Sequence, residues 1–100
     1  MNHYILTYHL ASDYLERRPA CRAEHLALAW RAVDSGDLLL GGALDEPVDT
    51  AMLLFAGDGP AAAEAFALAD PYVREGLVER WTVRRWNTVV GAAAASPVRA

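Results

Sequence analysis

Few side chains in this 100-residue chain are suited to chemistry. They are three histidines (His3, His9, His25), one cysteine (Cys21), thirteen carboxylates and nine cations, every one an arginine. The absence of lysine excludes a Schiff-base enzyme and a Walker-type phosphate loop, since both need an amine at a defined place. No HxH, HxxxH or CxxC spacing links the histidines and Cys21, so no metal-ligand motif is present. Cys21 lies near Arg18 and Arg22, which favours its thiolate, but nothing else marks it as a nucleophile and it reads as inert. Ser12, Ser35 and Ser96 occupy no GxSxG context, and Gly57-Asp58-Gly59-Pro60 is too short for a phosphate cradle and reads as a turn. What remains is acid–base chemistry. His25 follows Arg22 by three residues, so the two share a helix face at the edge of an apolar stripe. It is either a boundary histidine bonded to backbone or water, or a proton-transfer group beside a guanidinium. Asp70-Pro71 has the pattern of a helix N-cap with proline at the first position, and a capping carboxylate keeps a second oxygen free.

These residues must be positioned by a small number of elements. Residues 3–10 (HYILTYHL) read as a strand. Asp13 with Glu16 resembles a capping box, so residues 14–18 form a helical turn and Pro19 restarts or kinks the helix. From 19 to 35 the pattern is helical, with Leu26, Ala29, Trp30 and Val33 in one stripe and Gly36 as the stop. Residues 38–43 and 51–56 read as strands joined by a polar loop. Pro60 opens an alanine-rich helix to Ala69, which ends at Asp70-Pro71 because the residue before proline is pushed out of the α region. A short turn over 72–75 closes at Gly76, and a strand follows over 77–90. There Trp81 and Val83 share one face, and Thr82, Arg84 and Trp86 the other. Residues 1–91 thus form one domain, and 92–100 read as a flexible tail.

The order β-α-β-β-α-β is the split βαβ, ferredoxin-like α+β arrangement, a four-stranded antiparallel sheet with both helices on one face. That leaves the second face bare. A face exposed to water would be polar, yet Leu38-Leu39-Leu40 and Met52-Leu53-Leu54-Phe55 are apolar on both sides. The chain has no spare element, so the expected cover is a second copy, sheet against sheet, in a homodimer or a higher oligomer built from it. Light scattering should then give twice the chain mass, and a stable monomer at micromolar concentration contradicts the expectation. The 54% hydrophobic content agrees: much of it is helical alanine, and the rest of the surplus lies in those two-faced strands.

Charge and composition exclude further classes. A net charge of -4 and scattered arginines give no footprint for nucleic acid. With no long apolar run and no signal segment, membrane is not a partner, and the expected location is cytoplasmic. The expected partner besides a second copy is a small-molecule ligand.

Three local patterns occur together in order: Arg22-Ala23-Glu24-His25-Leu26, Gly36-x-Leu38-Leu39-x-Gly41-Gly42-Ala43-Leu44, and Ala67-x-Ala69-Asp70-Pro71-Tyr72-Val73-x-x-Gly76-Leu77. With the closing Trp81-x-Val83-x-x-Trp86, the chain resembles the YciI-like (YCII-related) family up to about Gly91. The resemblance implies a ferredoxin-like fold of the dimeric α/β-barrel superfamily. It also implies a His and Asp pair at the active site, which maps onto His25 and Asp70. Such a pair would serve general acid–base catalysis, without cofactor, on a small organic acid or lactone-like substrate. Arg22, on the same helix face, would bind the substrate's negative charge, and Tyr72, beside Asp70, would hydrogen-bond it. Two alternatives stay open: a non-catalytic dimeric module that binds a small ligand, and a cofactor-free oxygenase or cyclase with an aromatic-lined cavity. Gly41-Gly42 and the three tryptophans read mainly as bend, core and interface residues.

Overall fold

A computed structural model describes residues 1–100. The strands are β1 (Asn2–Leu10), β2 (Leu38–Ala43), β3 (Thr50–Gly57) and β4 (Val78–Trp86). The helices are α1 (Tyr14–Asp34), α2 (Ala61–Ala69) and the single turn α3 (Pro71–Arg74). The strands form one antiparallel sheet in the order β2-β3-β1-β4, the ferredoxin-like arrangement. No helix is long and apolar enough to cross a membrane.

The period-2 pattern of β1 fixes the two faces of the sheet. Tyr4, Leu6 and Tyr8 lie opposite Phe55, Leu53 and Ala51 of β3, and all six are buried beneath the helices. Phe66, Ala63 and Ala67 of α2 complete this layer. Side chains of this size each contribute about 1.5 to 3 kcal/mol on full burial. Trp81 and Val83 of β4 lie opposite Tyr8 and Leu6 on the same face, as the alternation predicts. The opposite face carries Ile5, Met52, Leu54 and Trp86 together with His3, Thr7, His9, Arg80, Thr82 and Arg84, and no helix covers it. Met52 and Trp86 are exposed there, so the apolar part of this second face is open.

Local chemistry explains most element ends, with several departures from expectation. Helix α1 runs unbroken through Pro19, which sits near its exposed N-terminal end, where losing one backbone hydrogen bond costs least. Asp13 makes no capping bond and instead approaches Arg17 at 3.8 Å, so the expected capping box does not form. At the other end Gly36 takes φ +85°, the Gly36 amide donates to Val33 O, and the Asp37 amide donates to Ala32 O. This is a Schellman stop, and it uses the one residue type with no steric cost at that φ. Pro60 stands one residue earlier than expected, as the N-cap of α2. Strand β4 ends at Trp86, four residues short of the expected boundary, and the chain reverses further on, where the Ala94 amide donates to Gly91 O. The amides of Ser96 and Val98 then donate to the carbonyls of Thr88 and Val89, and His3 Nδ1 lies 2.7 Å from Thr88 Oγ1. Residues 92–98, read as tail, thus fold back on the end of β4.

The stripe of α1 departs most from expectation. Of its 21 residues only Tyr14 is buried, and Trp30 is 63% exposed. Leu26 and Trp30 are exposed and line a cleft between α1 and the sheet, and Ala29 and Val33 line it while packing half-buried against the core. The helix is held above the sheet at its two ends and at its middle, where Glu24 pairs with Arg74 and His25 reaches Asp70. Near the first turn, the Arg17 guanidinium donates to Glu75 O and the Tyr14 ring meets Tyr72 edge-on. At the last turn, Leu38 is buried directly after the Schellman stop.

Candidate active site

The site is organised around one buried carboxylate. Asp70 ends α2 with extended backbone (φ -72°, ψ 125°), as a residue before proline must, and it also caps α3. Its side chain is fully buried. Oδ1 accepts the Tyr72 amide at 3.0 Å, which satisfies the cap. Oδ2 accepts the Tyr8 hydroxyl at 2.7 Å from the central strand. His25 Nδ1 lies 2.9 Å from Oδ1 and 3.0 Å from Oδ2. Three polar partners therefore meet a group with about four acceptor sites, which compensates its burial without an adjacent arginine. His25 is thus shared between the capping oxygen and the one bonded to Tyr8, so neither oxygen of Asp70 is left to the histidine alone.

The imidazole is fixed from two directions. Nδ1 is held by Asp70, and the ring stacks on Tyr72 with centroids 3.8 Å apart and an interplanar angle of 6°. Phe66 approaches it edge-on at 6.2 Å. With Asp70 ionised, Nδ1 carries the proton and Nε2 holds a lone pair. Nothing in the protein bonds Nε2, and the ring lines the cleft. The arrangement can take a proton at Nε2 and stabilise the resulting imidazolium against the carboxylate behind it.

Tyr8 and Tyr72 act as neutral donors. Burial, then the charge of Asp70 and the hydrogen bond to it, push the Tyr8 phenol far above its ordinary range, so it remains protonated. Burial, followed by the neighbouring Tyr14 phenol, raises Tyr72 to about 12, against the pull of Arg22 and Arg18. The Tyr72 hydroxyl is buried and has no hydrogen-bond partner. Arg22 lines the same cleft, as does Arg18, whose guanidinium carbon lies 5.7 Å from the Tyr14 ring centroid. Of the four residues singled out from sequence, His25, Arg22 and Tyr72 line one cavity of about 480 Å3, within the range of small-molecule sites, and Asp70 lies buried behind His25 without lining it. Gly41 and Gly42 belong to β2 and line its far wall; a Cβ at Gly41 would press on Leu53 Cγ at 3.3 Å, so a larger residue there needs Leu53 to shift by a few tenths of an ångström.

Sequence reasoning missed two contributors. Tyr8 falls within the strand read over 3–10, but its bond to Asp70 spans 62 residues and no local spacing signals it. Arg18 sits four residues before Arg22, a spacing that could have placed both on one face. Cys21 is a free, half-buried thiol. No group of three His, Cys, Asp or Glu side chains is disposed to hold a metal ion.

A family model described as the YCII-related domain matches residues 1–87. The chain belongs to the YCII-related family. Among solved structures it is similar to 5-chloro-2-hydroxyhydroquinone dehydrochlorinase from Burkholderia phenoliruptrix, solved with 2,5-dihydroxybenzoquinone. That match has a TM-score of 0.71 and 19% identity over 86% of this chain and 94% of the other. A NIPSNAP family protein from Agrobacterium tumefaciens matches with a TM-score of 0.56 and 14% identity, over 93% of this chain and 95% of the other. At these identities the likeness is one of fold, and it joins this YCII-related chain to other ferredoxin-like proteins. A search of curated proteins finds no match.

Proposed function

We propose that this YCII-related protein is a cofactor-free acid–base enzyme acting on a small organic acid or lactone-like substrate. The observation that carries the reading is His25, held at Nδ1 by a fully buried carboxylate and presenting Nε2 to a cavity. Nε2 removes a proton from the substrate, Asp70 stabilises the imidazolium, and the same nitrogen returns the proton to a leaving group or a new position. Arg22 draws the substrate's negative charge, and the unpartnered Tyr72 hydroxyl donates to a substrate oxygen. Elimination, isomerisation and hydrolysis are all within reach of such a pair. The similar dehydrochlorinase is named for an elimination, which supports that class first. The open sheet face, with Ile5, Met52, Leu54 and Trp86, is the surface for the second copy of a homodimer.

The test is turnover on a panel of chlorinated hydroquinones, lactones and small acids, comparing the native protein with Asp70→Asn. Asparagine still accepts the Tyr72 amide but cannot hold a proton on Nδ1 by charge. The expected result is a preserved fold with activity reduced at least a hundredfold. Unchanged turnover removes the dyad from the mechanism, whereas no turnover of any panel member by the native protein supports the ligand-binding module instead.

A further inference from the structure

The walls of the cleft are unlike at their two ends. Arg18 and Arg22 stand four residues apart on α1, an unfavourable pairing of like charges on one helix face. Neither meets a carboxylate: Asp13 lies near Arg17, and Glu24 and Glu75 lie near Arg74. No acidic residue lines the cleft, and Asp70 is sealed behind His25. The buried Tyr72 hydroxyl at this end also lacks an acceptor. Two guanidinium groups and a neutral phenol thus converge with donors only, inside a protein whose net charge is -4. What they lack is an oxyanion.

The other end is apolar. Leu26, Ala29, Trp30 and Val33 face Leu39 and Leu53 across the cavity. Trp30, 63% exposed, overhangs it as a large indole with little to cover it. Eight residues separate Arg22 from Trp30, so the helix sets the two ends on the order of 12 Å apart. A short acid would leave the apolar end wet.

We infer that the cleft takes an amphipathic organic anion, its carboxylate or equivalent oxyanion at Arg18, Arg22 and Tyr72 and its apolar body running beneath Trp30. The inference rests on the proposed site, and it places the proton-transfer position at His25, between the charged group and the body.

Binding can be read without turnover, by calorimetry on the native protein with butyrate, hexanoate, octanoate and 1-octanol. Affinity should rise about fourfold per methylene along the acids. Octanoate should bind at least tenfold more tightly than 1-octanol. The double variant Arg18→Gln/Arg22→Gln should remove that preference for the acid. Trp30→Ala should weaken octanoate while leaving butyrate unchanged. Equal binding of octanoate and 1-octanol, or no gain with length, overturns the inference. So does octanoate binding that ignores Trp30→Ala, since the anion then sits elsewhere, for instance on the open sheet face. These outcomes are independent of the Asp70→Asn turnover test: an amphipathic anion can bind where no proton moves, and a working dyad can serve a different ligand.

Discussion

His25→Gln is expected to lower kcat by two to four orders of magnitude, the usual contribution of a positioned proton-transfer group. Each tenfold loss corresponds to about 1.36 kcal/mol of barrier. Glutamine is the informative replacement because its amide can still donate to Asp70 and fill part of the ring's volume, yet it offers no titrating nitrogen at the position of Nε2. The stack on Tyr72 would be lost, which costs about 0.5 to 1.5 kcal/mol. For a domain of this size each kcal/mol lowers Tm by roughly 4 to 8 °C. A variant that remains folded at room temperature and is nearly inactive is therefore the expected outcome, measured by melting and by steady-state rates together. A rate within threefold of native places the proton transfer on another group.

Asp70→Ala should produce the largest loss of stability of any single substitution in the site. It removes the acceptor of the Tyr8 hydroxyl and the Tyr72 amide, both buried, and leaves His25 facing a hole. Stranding a buried donor costs about 1 to 3 kcal/mol each, so a total of roughly 3 to 5 kcal/mol is expected. Against the 5 to 15 kcal/mol typical of a whole domain, that is a large fraction. Asp70→Asn keeps an acceptor oxygen and should cost much less. Denaturant melts of the two variants measure the gap directly. If alanine costs below about 1 kcal/mol, the three donors are satisfied by water and the carboxylate is not the centre of the site.

The fold was legible because its signals are local. Alternation along residues 3–10, glycine after a helix at Gly36 and proline after Asp70 each constrain the backbone within a few residues, and the βαββαβ order follows from them. Helix α1 was harder to read. Its apolar stripe looks like a core stripe, because Leu26, Ala29, Trp30 and Val33 have the spacing of buried residues. That spacing reports which face turns inward. Whether protein or a cavity lies beneath depends on how far its contacts hold the helix from the sheet. The uninterrupted passage through Pro19 was also hidden, since a proline signal is the same whether it breaks a helix or is tolerated near its start.

For the site, Asp70 was legible as a cap from its own neighbours, and His25 and Arg22 as companions on one face. The link between His25 and Asp70 spans 45 residues and came from family resemblance. Tyr8 entered from β1, and no local pattern distinguishes a strand tyrosine that packs from one that donates to a buried carboxylate. The cleft's contrast of charged and apolar ends follows from the length of α1, once its face toward the sheet is known.

The central claim is that Asp70 fixes the proton of His25 on Nδ1 and leaves the Nε2 lone pair toward the cleft. Long-range nitrogen–proton NMR of the neutral imidazole, on the native protein, reads this tautomer without a substrate. The account predicts a protonated Nδ1 and an unprotonated Nε2 for His25. A proton found on Nε2 would contradict it, because the nitrogen facing the cavity could then no longer act as the base.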